Sequence, residues 1–208
     1  MDKQVNKQHY AFQSYISKAR WNSFWHQIDE VLKLNPHKIL EIGPGPGLFK
    51  DISKLIGLHV ETLDIDPELN PDYIGSAKAM PFKNAEYDVV CAFQMLEHLP
   101  YDEALAVFDE MVRCSKNNII ISLPDCLPDW HYKIYIPKFG AYEFNLSRPF
   151  RKLKKHQFDG QHYWEINKEG YHLNKIIKDF SKGVNLIKTY RVKENPYHRF
   201  FIFSRSAI

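Results

Sequence analysis

Short apolar runs alternate with segments of helical spacing between residues 38 and 124, and this alternation limits the possible folds more than any other feature. Five of the runs are predicted strands: KILEIG, HVETLDID, DYIGSA, YDVVCAFQ and NIIISLP. Between them, LFKDISKLI and YDEALAVFDEMVRCS carry apolar residues at helical intervals, with Asp102 placed to cap the second helix. The pattern predicts an α/β fold with a doubly wound, mostly parallel sheet.

The segments on either side extend this prediction. Residues 12–34 have the spacing of an amphipathic helix, and residues 167–181 predict another helix. The last two predicted strands, NLIKTYRV and HRFFIFSR, are separated only by KENPY, which is the length of a hairpin loop. We therefore expect seven strands, the last two forming a C-terminal antiparallel hairpin. A chain of 208 residues fits one domain of this kind.

The stretch KILEIGPGPGLFK places three glycines directly after the first predicted strand, where α/β proteins bind nucleotide-like ligands. A dinucleotide fingerprint would need its third glycine at position 48, which is Leu48. The two prolines of the loop lack N–H groups for a pyrophosphate, and Glu41 would repel a phosphate but attract a cation. These residues argue against a nucleotide-dependent dehydrogenase and favour a positively charged nucleoside cofactor, S-adenosylmethionine (SAM).

A carboxylate at the end of the second predicted strand supports the same cofactor. Asp64 follows Gly43 by 21 positions, about the spacing at which an acidic residue reaches ribose hydroxyls in such sheets. Asp66 competes for this role, although an aspartate before proline also suits the start of a turn. Strand alternation favours Asp64, because it continues the face of Val60 to the tip of the strand.

ILEIGPGPG, LDID and GSAKAMPFKNAEYDVVCAFQMLEHL together resemble, in order and spacing, the motifs of class I SAM-dependent methyltransferases of the small-molecule type. The resemblance covers roughly residues 38–124 and implies a Rossmann-like fold whose seventh strand is antiparallel, as the terminal hairpin predicts independently. The cofactor-binding residues that it implies are Glu41, Gly43, Pro44, Gly45, Gly47, Asp64, Ile65, Ser76, Ala77, Phe93 and Gln94.

The resemblance also implies a role for each part of that set. Glu41 and the glycine loop would contact the methionine end of SAM, Asp64 the ribose, and Ile65 the adenine. Phe93 and Gln94 would face the methyl group and the substrate. Many relatives have an aspartate where this chain has Ser76, so recognition of the adenine amino group departs from the family pattern, and the Ala77 backbone remains as a partner for the ring.

Residues 125–165 interrupt the alternation, and ten of the 35 residues from Trp130 to Trp164 are aromatic. Their position after the fifth strand, beside the edge where ligands bind, predicts a substrate-lid insertion, with a small satellite core as the structural alternative. Residues 1–36 would form an N-terminal helical cap on the same single methyltransferase domain. RPFRKLKK, residues 148–155, forms either a solvated face or a surface that steers an anionic acceptor.

Histidines near the expected acceptor site are the candidates for a general base. His162 comes first, because QHYWE places proton-accepting groups beside a large apolar ring, and His131 and His98 follow. For His98, the structural alternative is to cap or orient the backbone at a helix start. The histidines show no metal-ligand spacing, so no metal is predicted.

Composition narrows the partners and the location. A net charge of +3 is too small to indicate nucleic acid by itself. Three widely separated cysteines favour a reducing cytoplasm, and no apolar run suits a signal peptide or membrane span. The predicted function is in-line transfer of a methyl group from SAM to a small-molecule, glycan or lipid-precursor acceptor. The alternatives are an RNA methyltransferase and a catalytically silent SAM-binding regulatory protein.

Overall fold

The computed structural model describes residues 7–148 and 152–205 of the chain. Its strands within these residues are β1 (Ile39–Ile42), β2 (Val60–Asp64), β3 (Tyr73–Ile74), β4 (Tyr87–Phe93), β5 (Ser115–Pro124), β6 (Asp129–Ile136), β7 (Gly140–Ser147), β8 (Val184–Arg191) and β9 (His198–Arg205). Seven of them form one sheet in the order β3–β2–β1–β4–β5–β9–β8. Strands β1 to β5 run parallel, and β9 runs antiparallel to β5 and β8. The predicted Rossmann-like sheet with a C-terminal antiparallel hairpin is confirmed.

The helices of the described residues are α1 (Phe12–Tyr15), α2 (Lys18–Leu32), α3 (Leu48–Leu55), α4 (Tyr101–Cys114) and α5 (Leu173–Phe180). The prediction of one helix over 12–34 is wrong, because the Ser17 hydroxyl accepts a hydrogen bond from the Arg20 N–H and starts a new helix. Asp102 is not the cap of α4 but lies in its first turn, where its charge interacts favourably with the helix dipole. None of these helices combines the length and apolar character needed to cross a bilayer.

Strand β1 separates two apolar clusters, because its side chains alternate between the faces of the sheet. Leu40 and Ile42 belong to the cluster on the side of α4 and α5. Ile39 belongs to the opposite cluster, which contains Phe49 of α3. Burial of each such side chain stabilises the fold by about 1.5–3 kcal/mol. By the same alternation, Glu41 places a carboxylate on the face that carries Ile39.

Strands β6 and β7 form a hairpin that the sequence analysis did not predict. They pair from Asp129 with Ser147 to Ile136 with Gly140. Large apolar residues recur at every second position in both strands and are substantially exposed: Trp130, Tyr132, Ile134 and Ile136, and Tyr142, Phe144 and Leu146. The alternation of apolar residues that is typical of strands was therefore present in the sequence, although β6 and β7 have no buried face within the described residues.

Candidate active site

A cavity lies at the edge of the sheet where the parallel strands β1, β2 and β4 end. Its wall comes from the loops after these strands, from α2, and from the N-terminal segment before α2. Gln161, from the predicted lid, and His198, from β9, complete the described lining. Ligands of open α/β sheets bind at this edge. The cavity is therefore the candidate active site.

The loop between β1 and α3 has glycines where a side chain would not fit. Gly43 has a φ of +67°, and a Cβ atom there would lie 2.5 Å from Cγ of Met95. At Gly45, where φ is +54°, a Cβ atom would lie 3.1 Å from the ring of Tyr10. Gly47 instead occupies the N-cap position of α3. The backbone of the loop thus forms the cavity wall directly.

Glu41 places a carboxylate in the cavity wall, beside Pro44, which also lines it. Its residue surface is 3% exposed, and Oε2 accepts no hydrogen bond from the described residues. Burial raises the pKa of Glu41 well above its usual range, and Lys50 acts in the opposite direction. A buried carboxylate oxygen without a partner costs free energy. The site therefore fits a ligand that carries a cationic group, such as the ammonium of SAM.

Asp64 and Asp66, which compete for the ribose, both line the cavity, as does Ile65 between them. The Asp66 N–H donates to Oδ1 of Asp64 at 2.9 Å, and Oδ1 of Asp66 in turn accepts the Glu68 N–H at 3.0 Å. Asp66 therefore starts a turn, which was its structural alternative. Burial raises the pKa of Asp64, because the carboxylate loses solvent.

Some, but not all, of the residues predicted to contact the adenine and the methyl group of SAM line the cavity. Ala77 lines the cavity, but Ser76 is outside the described lining, and its hydroxyl accepts a backbone N–H two residues later at 3.2 Å. Phe93 and Gln94 line the cavity. The Gln94 side chain donates to a serine hydroxyl of β5 at 3.2 Å, which fixes its orientation.

The segment before α2 covers the glycine loop. Tyr10, Tyr15 and Arg20 line the cavity, and the two tyrosine ring centres are 5.0 Å apart. The Arg20 guanidinium lies 4.1 Å from the centre of the Tyr15 ring, within cation–π range. The predicted cap of residues 1–36 includes this segment, and residues 1–6 lie outside the described part of the chain.

The three predicted base candidates occupy different places. His98 lines the cavity, and its ring centre is 5.0 Å from that of His162. Nδ1 of His162 is 3.0 Å from Oε1 of Glu165. His131 lies on the exposed strand β6, outside the described lining, with Nδ1 2.7 Å from Oδ1 of Asn145. The structure therefore brings His98 and His162 together and leaves His131 apart.

A buried polar network surrounds the His98–His162 pair. Burial raises the pKa of Glu97 to about 7 and lowers the pKa of His98 to about 4. Burial also acts to raise the pKa of Glu165, but hydrogen bonds from three side chains, His162 first, hold it far below its usual range. The pKa of His162 is raised, because its hydrogen bond to Glu165 outweighs the effect of burial. Glu165 therefore stays ionised at neutral pH, where Glu97 titrates.

His198, which β9 brings into the cavity wall, was not among the residues predicted from the sequence. Its residue surface is 3% exposed, Nδ1 has no hydrogen-bond partner among the described residues, and burial lowers its pKa to about 3. His198 pairs with Pro124, the last residue of β5. The predicted hairpin was a sufficient signal, because the first residue of an antiparallel last strand lies at the carboxyl edge of its neighbour.

The predicted lid divides into two parts. Its hairpin lies outside the described lining, whereas the segment before α5 packs on the turn after β4. Trp164 is fully buried, and its indole N–H donates to the Leu99 carbonyl at 3.0 Å. The Tyr163 N–H donates to the Glu97 carbonyl at 2.9 Å. Of the basic run 148–155, residues 149–151 lie outside the described part of the chain.

Comparison with known proteins places the chain in a family. A family model described as a methyltransferase domain matches residues 9–173. A SAM-dependent methyltransferase from Clostridium acetobutylicum is similar, with a TM-score of 0.61, 9% identity and 96% of each chain covered. Magnesium protoporphyrin IX methyltransferase from Synechocystis PCC 6803, with bound SAM, has a TM-score of 0.59 and 19% identity over 99% of this chain and 87% of that one.

A small RNA methyltransferase is also similar, with a TM-score of 0.60 and 15% identity over 100% of this chain but 27% of that one. No curated protein matches the sequence significantly. At these identities, the structural neighbours establish a shared fold, and the family model covers most of the chain. The class predicted from the motifs is confirmed. The chain belongs to the methyltransferase-domain family and has the fold of the class I SAM-dependent methyltransferases.

Proposed function

We propose that this methyltransferase transfers the methyl group of SAM to a small-molecule acceptor bound in the cavity. The proposal depends on the carboxylate oxygen Oε2 of Glu41, which is buried in a wall made of loop backbone and has no hydrogen-bond partner among the described residues. A cationic cofactor would supply the missing partner, whereas a phosphate would add repulsion. The Synechocystis neighbour contains bound SAM, which supports the same cofactor.

The cofactor-facing residues have separate tasks in this proposal. Glu41 binds the ammonium group, and Asp64 accepts hydrogen bonds from the ribose hydroxyls. Ile65 and the Ala77 backbone contact the adenine. When bound, SAM would supply a methyl group on a sulfonium; the acceptor's nucleophile would attack the methyl carbon in line, and the S–CH3 bond would break to release S-adenosylhomocysteine. The contribution of the chain is alignment and exclusion of water by the tyrosines above the loop, and alignment can contribute about 7–11 kcal/mol.

The rest of the wall suits a compact acceptor with aromatic or apolar surface. Tyr10, Tyr15 and Phe24 contribute aromatic surface, and burial keeps the imidazoles of His98 and His198 neutral at pH 7 by lowering their pKa values. Imidazoles with such low pKa values are weak bases. Positioning of the acceptor is therefore their main role, and His162, whose pKa is raised, remains the first candidate for a base.

An RNA acceptor is the second candidate, because a small RNA methyltransferase shares the fold and residues 148–155 are basic. The described lysines of that run, Lys152, Lys154 and Lys155, are outside the described cavity lining. This separation favours the small-molecule acceptor. A silent SAM-binding protein is the third candidate, and the cytoplasmic location stays a prediction.

Cofactor binding is tested by thermal denaturation and titration calorimetry. A ligand at about 100 times its Kd adds about 2.7 kcal/mol to the free energy of unfolding. We expect SAM and S-adenosylhomocysteine, but not NAD, to raise the Tm. Glu41→Gln should weaken SAM binding by about tenfold or more, since it removes a buried charge–charge contact. Glu169→Gln, on the exposed surface, is the matched control. The absence of a SAM-induced shift would exclude the cofactor.

The acceptor is tested with methyl-labelled SAM and cell extract separated into a low-molecular-weight fraction and an RNA fraction. We expect label in the low-molecular-weight fraction. Label in RNA alone would favour the second candidate. SAM binding without transfer to either fraction would favour the silent protein.

A further inference from the structure

Three side chains that can ligate a metal meet at the edge of the cavity. Glu97 and His98 lie in the turn after β4, and His162 comes from the segment that packs on this turn. One ligating atom from each residue lies within 4.8 Å of the other two. One carboxylate and two imidazoles form a ligand set that zinc and neighbouring transition metals accept.

Among the described residues, Glu97 receives a hydrogen bond only from its own backbone, which is little for a buried carboxylate. It is fully buried, and neither Oε1 nor Oε2 has a hydrogen-bond partner on another described residue. Arg20 attracts the carboxylate but gives it no hydrogen bond, and the Arg20 guanidinium lies over the ring of Tyr15. An ionised carboxylate in such a place is stabilised only by a cation in direct contact.

Both histidines are held by other groups in the manner of metal ligands. Nδ1 of His162 is hydrogen-bonded to Oε1 of Glu165 at 3.0 Å, so Nε2 is the nitrogen that offers a lone pair. His98 is hydrogen-bonded to the backbone of Gln161. A carboxylate or carbonyl on the second ring nitrogen orients most metal-binding histidines and selects their tautomer.

We propose that Glu97, His98 and His162 bind a divalent transition-metal ion such as Zn²⁺ or Mn²⁺, in which case His162 is a metal ligand and not a general base. Three protein ligands leave coordination positions open. His98 also lines the cavity with Gln94 and Met95, so an ion held by the three residues would lie beside the cavity. The ion would bind an oxygen of the acceptor next to the methylated atom and stabilise its negative charge. The acceptor is therefore a molecule with hydroxyl or related oxygen atoms that can ligate a metal. This inference rests on the proposed function.

Metal binding is measured on the chelator-treated chain without SAM, by calorimetry with Zn²⁺ and Mn²⁺ and by the visible spectrum of the Co²⁺ form. We expect one site per chain, with weaker binding of Mg²⁺ and Ca²⁺, which prefer all-oxygen ligands. Glu97→Gln and His162→Ala should each weaken Zn²⁺ binding by more than about 100-fold, and Glu165→Gln by about 10–100-fold. His59→Ala, at an exposed histidine beside β2, should bind Zn²⁺ like the unaltered chain.

The SAM-induced rise in Tm shows whether each variant is folded. Lost Zn²⁺ binding with a retained SAM response in Glu97→Gln or His162→Ala would support the site. A chain that responds to SAM but binds none of the transition metals would overturn the metal site and leave the proposed function intact. Zn²⁺ affinity equal in the unaltered chain and in both variants would also overturn it. A chain that binds Zn²⁺ at these residues but not SAM would overturn the proposed function instead.

Discussion

Several single residues of the cavity wall are buried at a cost to the stability of the fold. Glu41 and His198 of the wall, and Glu97 outside the described lining, each have a buried polar atom without a hydrogen-bond partner on another described residue. Each such group costs about 1–3 kcal/mol of stability. A ligand that meets these atoms recovers that free energy on binding, so the same residues that weaken the free protein give it affinity and selectivity.

We expect Gly43→Ala to destabilise the protein more than Gly47→Ala. Both glycines have positive φ, which costs other residues about 1–2 kcal/mol. Only at Gly43 would the new Cβ atom also collide with Met95, whereas nothing lies within 4 Å at Gly47. Urea unfolding of the two variants measures the difference. Equal losses of stability would contradict the close approach of Met95.

Acid should destabilise the protein through His198. Its pKa is about 3 in the folded chain because of burial, and about 6.5 in the unfolded chain. The unfolded state therefore gains a proton first as the pH falls below about 6.5, and stability present above that pH is lost progressively towards pH 3. By pH 5 the loss is about 2 kcal/mol.

His198→Asn removes this titration. Between pH 7 and pH 5, the variant should lose about 2 kcal/mol less stability than the unaltered chain in chemical unfolding. His59→Asn, at an exposed histidine, should behave like the unaltered chain. If all three proteins lose the same stability over this interval, His198 is not buried as described.

At the scale of elements, the insertion after β5 has two parts. The segment before α5 supports the site, whereas the β6–β7 hairpin lies outside the described lining of the cavity. The segment before α5 is fixed to the turn that carries Glu97 by the Trp164 side chain and the backbone N–H of Tyr163. The paired residues Tyr132 and Phe144 lie in the exposed β6–β7 hairpin. The two parts should therefore differ sharply in their effects on stability and cofactor binding.

Shortening the hairpin tests this difference. Replacement of residues 133–143 by Asn-Gly joins the register partners Tyr132 and Phe144 through a two-residue turn. We expect a change of about 0.5 kcal/mol or less in the free energy of unfolding and unchanged SAM affinity in calorimetry. Trp164→Ala, in the packed part, should cost about 3–5 kcal/mol. Loss of SAM binding on shortening would show that the hairpin supports the cavity.

The elements that could be predicted from sequence are those whose local pattern matches their burial. From Val89 to Phe93, strand β4 is a continuous apolar run because both of its faces are covered, and the Gly-rich loop follows β1 directly. The β6–β7 hairpin was missed because its apolar positions face no core. The close approach of Met95 to Gly43 depends on a contact between distant parts of the chain, which a local pattern does not contain. The same holds for the burial of Glu97, whose oxygens have no hydrogen-bond partner on another described residue.

At the scale of the whole molecule, the cavity combines parts that are far apart in sequence. The family match ends at residue 173, yet His198 in β9 completes the wall. Tyr10 contributes from the opposite end of the chain. The sheet makes this possible, because the antiparallel β9 brings its first residue to the edge where the parallel strands end. We therefore expect acceptor selectivity to depend on residues from both ends of the chain.

The position of Tyr10 above Gly45 also has a consequence for the speed of turnover. A cofactor lying against the loop would be close to this ring, and we expect spent cofactor to leave only after the segment before α2 moves aside. We expect a burst of one methylated product per chain in rapid-mixing experiments, followed by a slower steady rate. Tyr10→Ala should shorten the residence time of S-adenosylhomocysteine and reduce the burst. A steady rate without a burst in the unaltered chain would show that exit is not limiting.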